Sequence, residues 1–126
     1  MTRMRRSATL IGLMVGIASV AGAIQGTKFP TGSLIGSDGT NNFSLNFDST
    51  GTINVYVNNQ PFSSSKYESK ADTIWFGVVN AAEGYGCAGD GTYVWKLNQN
   101  RMTFTTVKDE CQIRMTTLTG VAWTRG

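Results

Sequence analysis

The sequence offers few side chains for covalent or acid–base chemistry. Its 126 residues include no histidine, which removes the usual general base, the Ser–His and Cys–His nucleophile pairs, and histidine-ligated zinc and haem. The adjacent Asp109 and Glu110 are explained by the capping of a helix start. A hydrolase that uses carboxylates alone stays open as an interpretation that no pattern supports. We therefore expect a protein that is not an enzyme and that has no cofactor and no metal.

Four aromatic residues in the second half of the chain are candidates for contact with a ligand. Tyr93 and Trp95 alternate along one strand, and Phe104 lies on the strand that would pair with it. This spacing predicts an aromatic-lined pocket, to which Trp75 would also contribute. The alternative is an ordinary core, because aromatic residues dominate small cores. Trp75 alternates with two apolar neighbours, so either it or they face outward or towards a covering segment.

Arg114 is the charged candidate for ligand binding. Its guanidinium fork would suit a carboxylate or phosphate at the mouth of a pocket. The alternative is a structural role on a short helix, in which Arg114 pairs with Glu110 one turn earlier and stacks on Trp123 or Trp95. Both interpretations stay open from the sequence.

The first 23 residues have the pattern of a secretory signal peptide. Residues 1–6 carry three arginines, residues 8–20 are mostly apolar, and Ala-Gly-Ala at 21–23 matches a cleavage site before Ile24. The alternative is an uncleaved membrane anchor. Cleavage would leave eight basic against eight acidic residues, which gives no basic surface for nucleic acid. We expect residues 24–126 to form one exported domain, periplasmic or extracellular, with no stable membrane anchor.

The two cysteines, Cys87 and Cys111, are expected to form a disulfide. An isolated pair of cysteines in an oxidising compartment is most simply one bridge. It would close a loop of about 24 residues and stabilise the fold by roughly 3 kcal/mol in the chain-entropy model.

Short alternating runs separated by turn residues predict an all-β fold. Residues 43–47 and 53–57 form the clearest hairpin, and residues 92–97 and 102–107 form a second one. A helix is predicted over residues 110–118, with Asp109 as its N-cap and Gln112 completing a capping box. Seven or eight strands in a meander fit a single antiparallel up-and-down β-barrel with one short helix before the last strand.

Three further strands and one long loop complete the predicted meander. Residues 62–69 are polar and predict an edge strand or a solvated wall, whereas residues 73–79 should form the most buried strand. Residues 80–91 form a long glycine-rich loop, which is either a lid or a surface connection held by Cys87. Residues 121–125 predict the final short strand.

The last third of the chain carries a series of spaced motifs. They are Gly91-x-Tyr93-x-Trp95, Met102-Thr103-Phe104-Thr105, Asp109-x-Cys111-x-x-Arg114, Leu118-x-Gly120 and Trp123. Over about residues 91–125 this pattern resembles the C-terminal part of small exported lipocalin-like, or calycin-type, bacterial barrel proteins. The resemblance implies an up-and-down barrel with an interior site for a small apolar molecule. The chain departs from that family at Gly32-Ser33-Leu34, where lipocalins carry Gly-x-Trp, and its shorter length implies a small or filled cavity.

These observations predict an exported, non-catalytic protein that holds a small, largely apolar ligand inside a barrel. The alternative is a protein-binding module, either a subunit of an envelope complex or an inhibitor of a secreted enzyme. Such a module would have a filled barrel and would contact its partner through the loops at residues 37–42 and 80–91. A stable envelope protein with no small ligand is a third possibility.

Overall fold

The computed structural model describes residues 28–80 and 86–126, so the signal-peptide prediction and part of the long loop lie outside the described residues. Eight antiparallel strands form a closed barrel in which each strand pairs with the next along the chain and the last pairs with the first. The predicted fold class is confirmed. The elements are β1 (Gly32–Ser37), β2 (Asn42–Phe47), β3 (Thr52–Val57), β4 (Gln60–Lys70), β5 (Thr73–Phe76), β6 (Gly91–Asn98), β7 (Arg101–Asp109), α1 (Gln112–Gly120) and β8 (Trp123–Arg125).

The hairpin of β2 and β3 is confirmed, and its turn is set by Asp48. The Asp48 carboxylate accepts hydrogen bonds from the backbone N–H groups of Thr50 at 2.9 Å and Thr52 at 3.0 Å. Gly51 follows with φ +89°, a left-handed conformation that glycine adopts without strain. The turn therefore fixes the register that sends the apolar residues of both strands to the interior.

The strand β4 is longer than the strand predicted over residues 62–69, and because it pairs with both β3 and β5 it is not an edge strand. It follows β3 through Asn58 and Asn59, both with positive φ, which is the geometry that two-residue hairpin turns favour. The register between the strands shifts near Val55 and Tyr56, and this β-bulge leaves Phe62 as the extra residue. The residues of β4 that face inward complete a wall of the barrel.

One half of the barrel interior is filled with aromatic side chains. Phe29, which precedes β1, packs edge-on against Phe47 at a centroid distance of 4.7 Å and against Trp95 at 5.2 Å. The Tyr67 hydroxyl donates to the backbone carbonyl of Asp48 at 2.7 Å, which places this cluster at the end of the barrel that carries the β2–β3 turn. Phe104 belongs to the same core. Each such ring buries about 150–250 Å² of surface, so this cluster is a major part of the core.

Several predicted boundaries are wrong. The final strand, predicted over 121–125, begins at Trp123, and the helix extends to Gly120 rather than ending at residue 118. The strand predicted over 73–79 ends at Phe76, since beyond it Asn80 makes only an isolated bridge to Ser64 and Val78 is 51% exposed. The helix predicted from residue 110 begins at Gln112, with Cys111 as an N-cap that makes no side-chain hydrogen bond. Asp109 accepts a hydrogen bond from the Cys111 backbone N–H at 2.8 Å instead. The predicted capping box does not form, since the Gln112 amide donates to Thr116 at 3.2 Å.

Candidate functional site

A cavity of about 430 Å³ occupies the half of the barrel that the aromatic cluster leaves unfilled. Its walls are the inner faces of β2, β3 and β4, one face of α1, and the segments that flank the long loop. Most of the lining side chains are apolar. The lining residues are Asn41, Phe43, Leu45, Ile53, Val55, Val57, Phe62, Ser63, Ser65, Phe76, Val79, Cys87, Ile113, Arg114, Thr117 and Leu118.

The strand wall of the cavity follows from the pairing register. Leu45 pairs with Val55, and Val55 pairs with Ser63, so these three residues form one row across β2, β3 and β4. Ile53 pairs with Ser65 in the next row. Because successive side chains of a strand point to opposite faces of the sheet, the intervening residues point outward and only these inward-facing residues line the cavity.

The cavity reaches the surface of the protein. Phe43, Val55 and Val57 are only half-buried although they line it. Ile113, on the first turn of α1, lines the cavity and is 43% exposed, so it lies at the rim. The first turn of α1 therefore forms part of the rim of the cavity.

The helix α1 turns one face towards the cavity. Ile113, Arg114, Thr117 and Leu118 line it, and their spacing of one, three and four residues is that of a single helix face. Leu118 is buried in the core, and its backbone carbonyl accepts a hydrogen bond from the Trp123 indole N–H at 3.0 Å. The C-terminal end of α1 is therefore packed against the core, and its first turn lies at the rim of the cavity.

Arg114 is held in place by four hydrogen bonds. Its Nε donates to Asp109 Oδ2 at 2.7 Å, and its Nη2 donates to Asp109 Oδ1 at 2.9 Å. Nη1 donates to the Gly77 carbonyl at 2.9 Å, and Nη2 also donates to the Gly89 carbonyl at 3.0 Å. Arg114 thus ties α1 to the end of β7 and to both ends of the connection between β5 and β6.

The Asp109 carboxylate is the centre of this network. Its side chain has no solvent exposure, and besides Arg114 it accepts hydrogen bonds from the Tyr93 hydroxyl and the Cys111 backbone N–H. Burial alone would raise the pKa of Asp109, but these hydrogen bonds and the charge of Arg114 bring it below its ordinary value. Burial and the neighbouring carboxylate raise the pKa of Tyr93 well above its ordinary value. Asp109 is therefore ionised and Tyr93 neutral at physiological pH.

The predicted partners of Arg114 need correction. The guanidinium pairs with Asp109 rather than with Glu110, because the helix starts only at Gln112 and Glu110 lies outside its first turn. Among the described residues, no stacking of Arg114 on Trp123 or Trp95 is present. The sequence carried no periodic signal for the Asp109–Arg114 pair, since the two residues are five apart and only one of them is helical.

The predicted disulfide between Cys87 and Cys111 is confirmed, with a Cα–Cα distance of 5.6 Å. It joins the residue before α1 to the segment that leads into β6. Cys87 also exchanges two backbone hydrogen bonds with Val79, at 2.9 and 3.0 Å. The described parts of the connection between β5 and β6 are therefore anchored on both sides of the unassigned residues 81–85.

Of the five residues predicted to bind a ligand, Arg114 is the one that lines the cavity. Tyr93, Trp95 and Phe104 are buried in the core. Trp75 points outward from β5, and its indole N–H donates to Asp90 Oδ2 at 2.8 Å. The β2–β4 wall is not among the residues predicted from the sequence, although the alternation at residues 43–47 and 53–57 indicates which side chains face inward.

The described residues include no group of three or more cysteine and acidic side chains placed to hold a metal ion. Nor does this part of the chain contain a helix long and apolar enough to cross a membrane.

Comparisons of the chain with protein-family models, with curated proteins and with solved structures find no match. The support for the resemblance to lipocalin-like proteins comes from the architecture. Eight antiparallel strands close into a barrel in chain order, with one helix before the last strand. That architecture is consistent with a calycin-like fold. A fold does not fix a function, so the function has to be argued from the cavity.

Proposed function

We propose that this protein binds a small, largely apolar molecule in the cavity between β2–β4 and α1. The observation that carries the proposal is the cavity itself, about 430 Å³ in volume and lined mostly by apolar side chains. Pockets that bind small molecules usually enclose about 300–1,000 Å³ and combine an apolar lining with a few polar groups.

The half-buried apolar side chains of the wall give binding its driving force. Phe43, Val55 and Val57 line the cavity and retain contact with solvent. Covering such surface with an apolar ligand is favourable by about 25 cal/mol for each Å² removed from water. A ligand would thus complete the packing that the aromatic cluster provides in the other half of the barrel.

We propose that binding occurs without catalysis. Arg114, the one charged side chain among the described residues that line the cavity, is paired with Asp109, whose carboxylate is out of contact with solvent. Tyr93, whose pKa is raised, donates its hydroxyl to that carboxylate. A general acid or base must reach the substrate within hydrogen-bond distance, and these groups are committed to one another.

We also propose that the protein is exported. The signal-peptide pattern of residues 1–23 supports export, and the Cys87–Cys111 disulfide is typical of an oxidising compartment. The rival function, a protein-binding module, depends on a filled barrel, and the cavity counts against it.

The proposal can be tested by titration with N-phenyl-1-naphthylamine, an uncharged apolar dye that fluoresces on leaving water. Two variants form a matched pair. Val55→Trp places an indole in the cavity, whereas Tyr56→Trp places one on the outer face of the same strand. We expect saturable dye binding to the wild type and to Tyr56→Trp and its loss in Val55→Trp, with circular dichroism showing that all three are folded.

Equal dye binding by the wild type and Val55→Trp would contradict the proposal, because the cavity would then not be the site. Native mass spectrometry of protein purified gently from its own host adds an independent measurement. We expect an additional mass that is released on denaturation.

A further inference from the structure

Two serine hydroxyls lie on the otherwise apolar strand wall of the cavity. Ser63 and Ser65 are on β4, where they pair with Val55 and Ile53 of β3. Residues two apart on a strand point to the same face, about 7 Å apart. The two hydroxyls therefore form a short polar row inside the cavity.

Neither hydroxyl has a hydrogen-bond partner among the residues that the structure describes. Ser64, which lies between them and faces outward, differs in this respect, because its hydroxyl donates to Asn54 Oδ1 at 3.0 Å. A hydroxyl that loses water without gaining another partner is costly. A ligand that fills the cavity must therefore offer hydrogen-bonding atoms to Ser63 and Ser65, or keep water there.

Arg114 does not offer a site for an anionic ligand. It is the only charged residue among the described residues that line the cavity, and its Nε and Nη2 are taken by the Asp109 carboxylate. Its remaining donors serve the Gly77 and Gly89 carbonyls, apart from one N–H of Nη1. The pair is neutral as a whole, so a ligand carboxylate would be buried without a free counter-charge, which is unfavourable.

We infer that the ligand is uncharged and carries hydroxyl, carbonyl or ether oxygens that bond to Ser63 and Ser65, on an otherwise apolar body. This inference rests on the proposed function and gives the ligand its chemical class. The cavity has room for on the order of fourteen water-sized groups, at about 30 Å³ each. A medium-chain alcohol or a compact terpenoid alcohol or ketone matches that size, whereas a fatty acid anion has the wrong charge.

The test compares three probes of equal chain length, dodecane, 1-dodecanol and dodecanoate, by displacement of N-phenyl-1-naphthylamine at about pH 8, where a carboxylic acid is ionised. We expect dodecanol to bind more tightly than dodecane, and more tightly than dodecanoate by about tenfold or more.

Serine variants then assign the preference to the two hydroxyls. In the Ser63→Ala/Ser65→Ala double variant, we expect dodecanol to bind about 3- to 10-fold more weakly, because its single hydroxyl loses its serine partner, while dodecane binding is unchanged. The control is Ser64→Ala, which removes the same group from the outer face of the same strand. We expect it to leave both affinities unchanged, and thermal melting checks that each variant is folded.

The outcomes separate the two claims. Dodecanoate binding as tightly as dodecanol, or an unchanged alcohol preference in the double variant, would overturn the inference while leaving the proposed function in place. Failure of every probe, the dye included, to bind the wild type would overturn both.

Discussion

Arg114 and Asp109 form a two-point ion pair, with Nε 2.7 Å from Oδ2 and Nη2 2.9 Å from Oδ1. The Arg114 side chain is 8% exposed and the Asp109 side chain is not exposed at all. Through this pair, the beginning of α1 is joined to the end of β7 and to the backbone on either side of the long loop. This buried charge pair is therefore one of the links that hold α1 against the wall of the cavity.

Loss of the guanidinium should be strongly destabilising. We expect Arg114→Ala to lower the free energy of unfolding by about 3–5 kcal/mol, because the Asp109 carboxylate is then left buried without its counter-charge. Urea unfolding measures the change, and a dye titration of the folded fraction shows whether binding changes as well. The matched control is Glu110→Ala, which removes the neighbouring exposed carboxylate and should change stability by less than about 0.5 kcal/mol. Comparable losses in the two variants would contradict the role given to the pair.

The same pair predicts a loss of stability in acid. The pKa of Asp109 is lower in the folded protein than its ordinary value of 3.8, so its ionised form stabilises the fold at any pH above that value. This contribution declines as the pH falls below about 4 towards the folded-state pKa. We expect the difference in unfolding free energy between wild type and Asp109→Asn to be constant near neutral pH and to shrink below about pH 4. Urea unfolding across a pH series measures it, and a difference that stays constant down to about pH 2 would contradict the assignment.

Much of the fold could be predicted from local patterns. The alternation at residues 43–47 and 53–57, with turn residues between them, specifies a hairpin because neighbouring side chains on a strand face opposite sides. Two cysteines without other partners specify the disulfide in the same direct way. The hairpin signal lies within a few neighbouring residues, and the disulfide signal needs only the count of two cysteines.

The site could be predicted only in part, because its contacts join distant segments. The Gly77 and Gly89 carbonyls reach Arg114 only after the barrel has closed, and no sequence spacing encodes that approach. The serines of β4 indicated a solvated strand, although alternation turns Ser63 and Ser65 inward. Tyr93 and Trp95 do face the interior as predicted, but the interior at their position is packed core.

The Asp109–Arg114 pair needs a residue without a side chain at position 91, where the chain has Gly91. A Cβ atom at this position would collide with Asp109 Oδ2 and would lie 3.0 Å from Arg114 Nη2. We expect Gly91→Ala to lower the unfolding free energy by about 1–3 kcal/mol, because the carboxylate must move away from its partners. Gly89→Ala is the control, since a Cβ atom there meets no atom within 4 Å. Thermal or urea unfolding of both variants checks the prediction, and equal stabilities would contradict it.

The disulfide should stabilise both the fold and the cavity. It closes a loop of 24 residues, for which the chain-entropy model gives about 3 kcal/mol. Cys87 also lines the cavity, and its partner Cys111 immediately precedes α1. We expect the Cys87→Ser/Cys111→Ser double variant to unfold at lower urea concentration and to bind N-phenyl-1-naphthylamine more weakly even where it is fully folded, because α1 and the segment around Val79 lose their covalent link. Unchanged dye affinity in the folded double variant would show that the Arg114 network alone holds the cavity open, and the bridge would then act on stability only.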